Sequence, residues 1–251
     1  RDWSSDVCSS DLRASDWILA EQSDWVAIDK PSGILSVPDR FGKEQSLKTW
    51  LAEKYGSIYP VHRIDRDTSG LIIFARTPEA QQQLSAQFEQ RQTEKTYLGF
   101  VVGCPMQASG TIEAPIAEHP AKNGTMIIHR NGKAAQTEYN LLDRFTGYAL
   151  VQFKILTGRT HQIRIHCKEI GHPIVCDPIY GDGKPFLLSS LKKKYNLSKQ
   201  ELEERPLLNR LGLHAYQLKF QDLAGKKIEL EAPLHKDMRA MLQQLRKQQG
   251  H

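Results

Sequence analysis

Within His62-Arg63-Ile64-Asp65-Arg66-Asp67-Thr68-Ser69-Gly70 the chain brings together two carboxylates, two guanidinium groups and an imidazole. The apolar run Leu71-Ile72-Ile73-Phe74-Ala75 follows directly. A polar loop fixed to a buried strand is where catalytic groups concentrate. The alternating charges hold at least one carboxylate ionised. An ionised carboxylate can act as a nucleophile, as a base, or as a stabiliser of positive charge. The same residues also fit a salt-bridged turn, with Asp67 or Thr68 bonding the backbone and Gly70 supplying an unusual dihedral. On spacing alone both readings stand.

A second concentration of polar groups lies at Thr157-Gly158-Arg159-Thr160-His161-Gln162-Ile163-Arg164. Thr160 can cap a short helix ending at Gly171. Ile163, Cys167 and Ile170 make one stripe of that helix, and His161, Arg164 and Lys168 a polar face. His161 and His166 are five apart, a poor spacing for two metal ligands on one helical face, and no acid clusters with them. Cys8, Cys104, Cys167 and Cys176 form no CxxC pair, so no metal site is expected and the thiols read as reduced. Asp65 and Asp67, two apart in one loop, match poorly the paired carboxylates of glycoside hydrolases.

The elements that would position these groups are mixed. Trp17–Ala20 and Trp25–Ile28 read as a hairpin. Ser46 can cap a helix over Leu47–Tyr55, with Leu47 and Leu51 inward. The run at Leu71–Ala75 is a buried central strand. Thr77-Pro78 starts a helix to about Arg91, with Leu84 and Phe88 inward. Strand patterns follow at Lys95–Val102, Thr125–Ile128, Gln136–Leu142, Ala149–Ile155, Leu213–Phe220 and Lys227–Leu230, and Lys236–Lys247 is a polar terminal helix. Many strands with few helices, in no strict alternation, predict an α+β fold.

The 251 residues are 39% hydrophobic and 25% charged, ordinary for a globular chain. The net charge of +5 and a pI near 8.9 suit a polyanionic partner without requiring one. No apolar run approaches the length of a membrane helix and no signal peptide is visible, so a cytoplasmic protein is expected. Residues 1–15 read as a tail, disordered or artefactual, ahead of one domain over 16–251. Phe186–Arg205, with Lys192-Lys193-Lys194 and Glu201, Glu203 and Glu204, reads as a charged helical insertion: a solvated face, or an auxiliary RNA contact.

The stretch His62–Leu71 resembles the H-R-L-D-x-x-T-S-G-L signature of the RluA-type pseudouridine synthases, with Ile64 as a mild substitution. Further blocks follow in the family's order. Lys30-Pro31-Ser32-Gly33 resembles its K-P-x-G turn, and Lys95-Thr96-Tyr97 its K-x-Y strand. Gly158–Arg164 resembles G-R-x-H-Q-[IL]-R. Gly171-His172-Pro173-Ile174 with Asp177 and Tyr180-Gly181 resembles G-H-P-I-x-x-D-x-x-Y-G, and Leu213-His214-Ala215 its L-H-A strand. The resemblance spans roughly residues 25 to 235.

It implies a mixed, mostly antiparallel sheet with flanking helices around a central catalytic cleft. It implies that structured RNA, ribosomal or transfer, is the partner, that no cofactor is needed, and that a monomer is the default. Its catalytic aspartate maps to Asp65. Tyr97 would lie against the target base, and Arg164 would pair with Asp65 and keep it ionised. Arg63 would fill the space of a flipped base or contact phosphates, and Leu213 would wall the pocket. Arg159, His161 and Gln162 are weaker RNA-contact candidates; His161, Gln162 and His166 fit better as hydrogen-bonding residues that hold loop and helix together. Some relatives carry an S4 RNA-binding domain; the few residues before Trp17 are too short for one, so a catalytic domain without it is expected. The rival readings are an inactive RNA-binding module on the same fold and a nucleoside hydrolase.

Overall fold

The computed structural model describes residues 14–39, 42, 44–191 and 203–249. Its first half is built around one strand. β1 (Ile18–Glu21) and β2 (Trp25–Lys30) form the expected antiparallel hairpin. The helix α1 (Leu47–Tyr55) starts at Ser46, whose Oγ accepts from Thr49 N–H at 3.2 Å. A two-residue strand, β3 (Tyr59–Pro60), leads through the polar loop into β4 (Ser69–Ala75). Every residue of β4 is buried. Its alternation explains why: Leu71, Ile73 and Ala75 join the core under the next helix, while Ile72 and Phe74 join the core that holds Leu47 and Leu51 of α1. That helix, α2 (Pro78–Glu89), begins at Thr77, whose Oγ1 accepts from Ala80 N–H at 3.1 Å. It stops two residues before the expected Arg91, because Arg91 is in the left-handed region at φ 59°.

The second half adds β5 (Glu94–Val102), β6 (Ser109–Glu113), the separate hairpin β7 (Ile116–Glu118) with β8 (Met126–Ile128), β9 (Gln136–Phe145) and β10 (Tyr148–Ile155). There follow the short helix α3 (Gln162–Glu169), then β11 (Leu213–Gln221), β12 (Lys227–Glu231) and α4 (Lys236–Gln249). The large sheet runs β1-β2-β4-β11-β5-β10-β9-β6, with β12 beside β11 and β3 beside β4. Its pairings are antiparallel except at one seam, where β4 and β11 run parallel with Ser69 opposite His214 and Gly70 opposite Ala215. Gly70 is required there: a Cβ would sit 2.3 Å from the Ala215 carbonyl oxygen, and its φ is +103°. This is the mixed, mostly antiparallel α+β sheet that was expected.

Two helices depart from the sequence reading. α4 is not simply polar, since Met238, Met241 and Leu245 are buried against Phe100 and Leu150. In α3 the residues from Gln162 to Cys167 are all buried, including Arg164 of the helix's polar face. Its N-cap is His161, left-handed at φ 54°, rather than Thr160. The expected tail over 1–15 falls almost wholly outside the described residues. So does most of the charged insertion: Leu188–Ser190 forms a 3-10 turn and Ser189 N–H donates to Glu204, while 192–202 lie outside.

Candidate active site

The polar loop before β4 is fixed chiefly by the turn after β2. Lys30 is fully buried, and its Nζ donates to the carbonyls of Pro31 at 2.9 Å, Ile34 at 2.8 Å and Arg66 at 2.8 Å. Burial pushes the amine down to about 7, although Asp67 and Asp65 pull it back up. Three carbonyl acceptors match the three N–H bonds of an ammonium, so the geometry favours the charged form. Ser36 Oγ donates to Ile64 O at 2.8 Å, Ser32 Oγ donates to Asp67 O at 2.6 Å, and Gly33 N–H donates to Arg66 O at 2.9 Å. His62 accepts from Ile73 N–H at 3.1 Å and stacks on Phe88 with centroids 4.2 Å apart. Burial drives this imidazole down to about 3. Arg66 turns away and pairs with Glu44 at 2.9 Å.

Held in this way, Asp65 lines a cavity of about 120 Å³ that does not include Asp67. Tyr97 of β5, Leu213 of β11 and Arg164 of α3 line the same cavity, as do Arg63, Arg159 and Gln162. Tyr97 is half-buried; burial and then the charge of Asp65 push its phenol up, so the hydroxyl keeps its proton at neutral pH. His161 is not among the lining residues. Its Nδ1 bonds Tyr180 Oη at 2.9 Å, and burial lowers its pKa while Asp65 opposes the shift.

The expected pairing of Arg164 with Asp65 is corrected. The Arg164 guanidinium is clamped by Asp177, with Nε 2.8 Å from Oδ2 and Nη2 2.7 Å from Oδ1. Among the described residues no ion pair joins it to Asp65. Arg164 and Asp177 are 1% and 0% exposed, and a guanidinium so far from water needs a bidentate counter-charge. Asp177 Oδ1 also accepts from the N–H groups of Ile179 at 2.9 Å and Tyr180 at 3.0 Å. Arg164 lines the same cavity as Asp65 without an ion pair to it; burial opposes ionisation of its guanidinium, and the hydrogen bond and charge of Asp177, with a smaller contribution from Asp65, outweigh that.

Gln162 spends its whole amide on the protein. Oε1 accepts from Thr157 Oγ1 at 2.7 Å and Arg159 N–H at 3.0 Å, and Nε2 donates to Gln136 O and Thr137 Oγ1, both at 2.9 Å. His166 bonds Thr137 Oγ1 and Ala114 O. Both hold α3 against β9. Sequence reasoning quoted Lys30 and Asp177 as members of motif blocks but gave neither a task. A lysine and an aspartate next to turn residues were the available signal.

A cluster outside the cavity joins Asp29, His214 and His235, with candidate ligand atoms within 4.8 Å of one another. His214 Nε2 lies 3.0 Å from Ala232 O, which can only accept, so this nitrogen carries the proton. Nδ1 then accepts from Ser69 Oγ at 2.9 Å. With both nitrogens engaged, the cluster is built as a hydrogen-bond network rather than a coordination site.

Residues 24–169 match the model of a family described as RNA pseudouridylate synthase. The chain is 36% identical over 236 residues to the ribosomal large subunit pseudouridine synthase D of Nitrosomonas europaea, covering 91% of this chain and 65% of that protein. It thus spans a little under two thirds of that relative. The protein of the same name from Escherichia coli K12 is 32% identical, with 91% and 70% covered. Among solved structures, human RNA pseudouridylate synthase domain containing 4 superposes with a TM-score of 0.71 at 27% identity, covering 93% of this chain and 94% of that one. With four of the six motif blocks lining one cavity and these likenesses extending over most of its length, the chain belongs to the RNA pseudouridylate synthase family.

Proposed function

We propose that this protein isomerises specific uridines to pseudouridine in structured RNA, ribosomal or transfer, with Asp65 as the essential carboxylate. The observation that carries this reading is the convergence of Asp65, Tyr97, Arg164 and Leu213, far apart in sequence, on one cavity. The names of the relatives make large-subunit ribosomal RNA the first substrate to test.

The reaction breaks the bond from the ribose to nitrogen 1, turns the base and rejoins it through carbon 5. The proton lost from carbon 5 is matched by one gained at nitrogen 1, so no redox partner or energy source is required. Asp65 attacks the anomeric carbon, stabilises an oxocarbenium-like state, or removes the 2′ proton; each role requires the anion. Tyr97 stacks against the uracil. Its phenol becomes easier to ionise once the charge of Asp65 has been consumed by attack on the sugar. Leu213 gives the pocket an apolar wall. The base reaches the cavity only by leaving its stack, and the exposed Arg63 is placed to occupy the vacated space or to meet phosphates. Arg159 contributes positive charge to the rim.

No helix among the described residues is long and apolar enough to cross a membrane. We take the enzyme to act in the cytoplasm as a monomer.

The deciding experiment is Asp65→Asn, assayed by pseudouridine mapping of large-subunit ribosomal RNA. Conversion should vanish while folding and RNA binding persist, and substantial residual turnover would refute the assignment. Free uracil in the wild-type reaction would indicate a hydrolase, since isomerisation leaves the RNA mass unchanged.

A further inference from the structure

A second cavity of about 440 Å³ adjoins the catalytic one and shares Arg63, Tyr97 and Arg159 with it. Its far wall carries Arg91 and Lys95, and Glu89 is the one acid among its described lining residues. None of these four cations makes an ion pair among the described residues. Some other surface cations are paired, as in Arg76–Glu21, Lys154–Glu94 and Arg246–Asp143; what distinguishes these four is that they line one cavity. Arg91 also depresses the Lys95 ammonium, after the larger effect of burial, so positive charge is left uncompensated here.

The backbone at Arg91 is an independent observation. Helix α2 ends with Gln92 N–H donating to Gln87 O at 2.9 Å and Arg91 N–H donating to Phe88 O at 3.3 Å. That pattern is a Schellman cap, and its left-handed residue is usually glycine. This chain puts arginine there, at φ 59°. Glycine would adopt this backbone with less strain, so the cap itself does not call for an arginine side chain. The charge of the helix C-terminus favours a cation nearby, but no hydrogen bond ties the Arg91 guanidinium to the last carbonyls among the described residues.

We propose that this second cavity is a phosphate subsite for the RNA backbone flanking the target uridine, with Arg91 as its principal contact and Lys95 beside it. The proposal rests on the functional reading above, since it takes the ligand to be the RNA that delivers a base to the adjoining cavity. A cavity of this size fits a nucleotide-sized ligand, and a sugar-phosphate chain running through it would pass directly to Tyr97 and Asp65.

The test separates fold from function because Arg91→Gly should affect them oppositely. Glycine relieves the left-handed strain, so the melting temperature should hold or rise. Binding of in vitro transcribed large-subunit ribosomal RNA, measured by filter binding across a potassium chloride series, should weaken about five- to tenfold near ~0.1 M salt. The slope of log K against log salt should become shallower by about 0.7–0.9, the loss of one phosphate contact. Arg91→Lys should restore most of the slope, and Arg91→Asn, which also tolerates this backbone, should repeat the glycine result. An unchanged slope in the glycine and asparagine variants overturns the subsite. So does a melting temperature that falls with no change in RNA affinity, which would assign Arg91 to the helix end alone. If the wild-type protein converts no uridine while RNA binding still responds to Arg91, the isomerase reading fails and the subsite stands. Conversion by wild type with an indifferent Arg91 gives the reverse.

Discussion

Replacing Asp177 by asparagine isolates what the buried ion pair contributes. Arg164 and Asp177 are 1% and 0% exposed, so no solvent can take over when the counter-charge is removed. Asparagine keeps the shape but offers an acceptor on one side only. If its oxygen faces Nη2 and the N–H groups of Ile179 and Tyr180, its NH₂ confronts Arg164 Nε–H, donor against donor. Breaking one side of a buried pair costs about 3–5 kcal/mol. For a domain of this size each kcal/mol is worth roughly 2–4 °C, so the melting temperature should fall by about 6–20 °C. Calorimetry or circular dichroism measures it directly. The double replacement Arg164→Met with Asp177→Leu should recover most of the loss, since an apolar pair of similar volume is often nearly neutral, while still abolishing the charge at the cavity. The pair also has a pH signature. Burial opposes ionisation of Asp177, but the hydrogen bonds and charge of Arg164 outweigh it and hold the carboxyl below its usual range. Its stabilisation is therefore complete above the unfolded value of about 3.9 and disappears as pH falls through the lower folded value. A variant melting within about 2 °C of wild type would show that the pair does not hold α3 in place.

Other expectations follow from the same geometry. Tyr97→Phe should bind RNA normally and lose about a hundredfold or more in single-turnover conversion if the hydroxyl moves a proton; unchanged conversion would limit Tyr97 to stacking. Lys30→Met leaves the carbonyls of Pro31, Ile34 and Arg66 without their donor, and urea unfolding should show a loss of at least about 3 kcal/mol. Burial lowers His214 to about 4 against an ordinary 6.5. The folded state therefore resists a proton that the unfolded chain accepts, and stability should fall by up to about 3 kcal/mol as pH drops from 6.5 to 4. His214→Gln should flatten that part of the profile; His62, His161 and His166, all lowered by burial, supply the remainder, with Asp29, His235 and Arg210 as the charges facing His214. Gly70→Ala should fail to accumulate as folded protein, because its Cβ meets backbone rather than a movable side chain; a soluble variant with native melting would contradict the tightness of the seam.

The most legible elements were those whose signal is local. β4 announced itself as an uninterrupted apolar run, and α1 and α2 by a capping hydroxyl followed by inward leucines. What escaped depends on distant partners. Arg164 on a short helix reads as a solvent cation until Asp177, beyond the helix end, turns inward to meet it. The residues holding Arg66 and Ile64 do so through backbone carbonyls, which carry no side-chain signature. β3 has only two residues, and β6 and β7 each carry a single large apolar residue, Ile112 and Ile116, too little to show a pattern; the apolar spacing of Met238, Met241 and Leu245 was hidden among the charges of α4. The site was legible because its blocks resemble a known family. On spacing alone the loop at 62–70 could equally have been a turn.

The seam between β4 and β11 has a further consequence for synthesis on the ribosome. The carboxylate at position 65 is made well before the strand bearing Leu213, which walls its cavity and pairs with Ser69 and Gly70. At usual elongation rates the delay is roughly ten seconds to half a minute. Throughout that interval the nascent chain carries Asp65 without the wall of its cavity, so under the proposed function competence to modify RNA would arrive only once β11 has been made and paired.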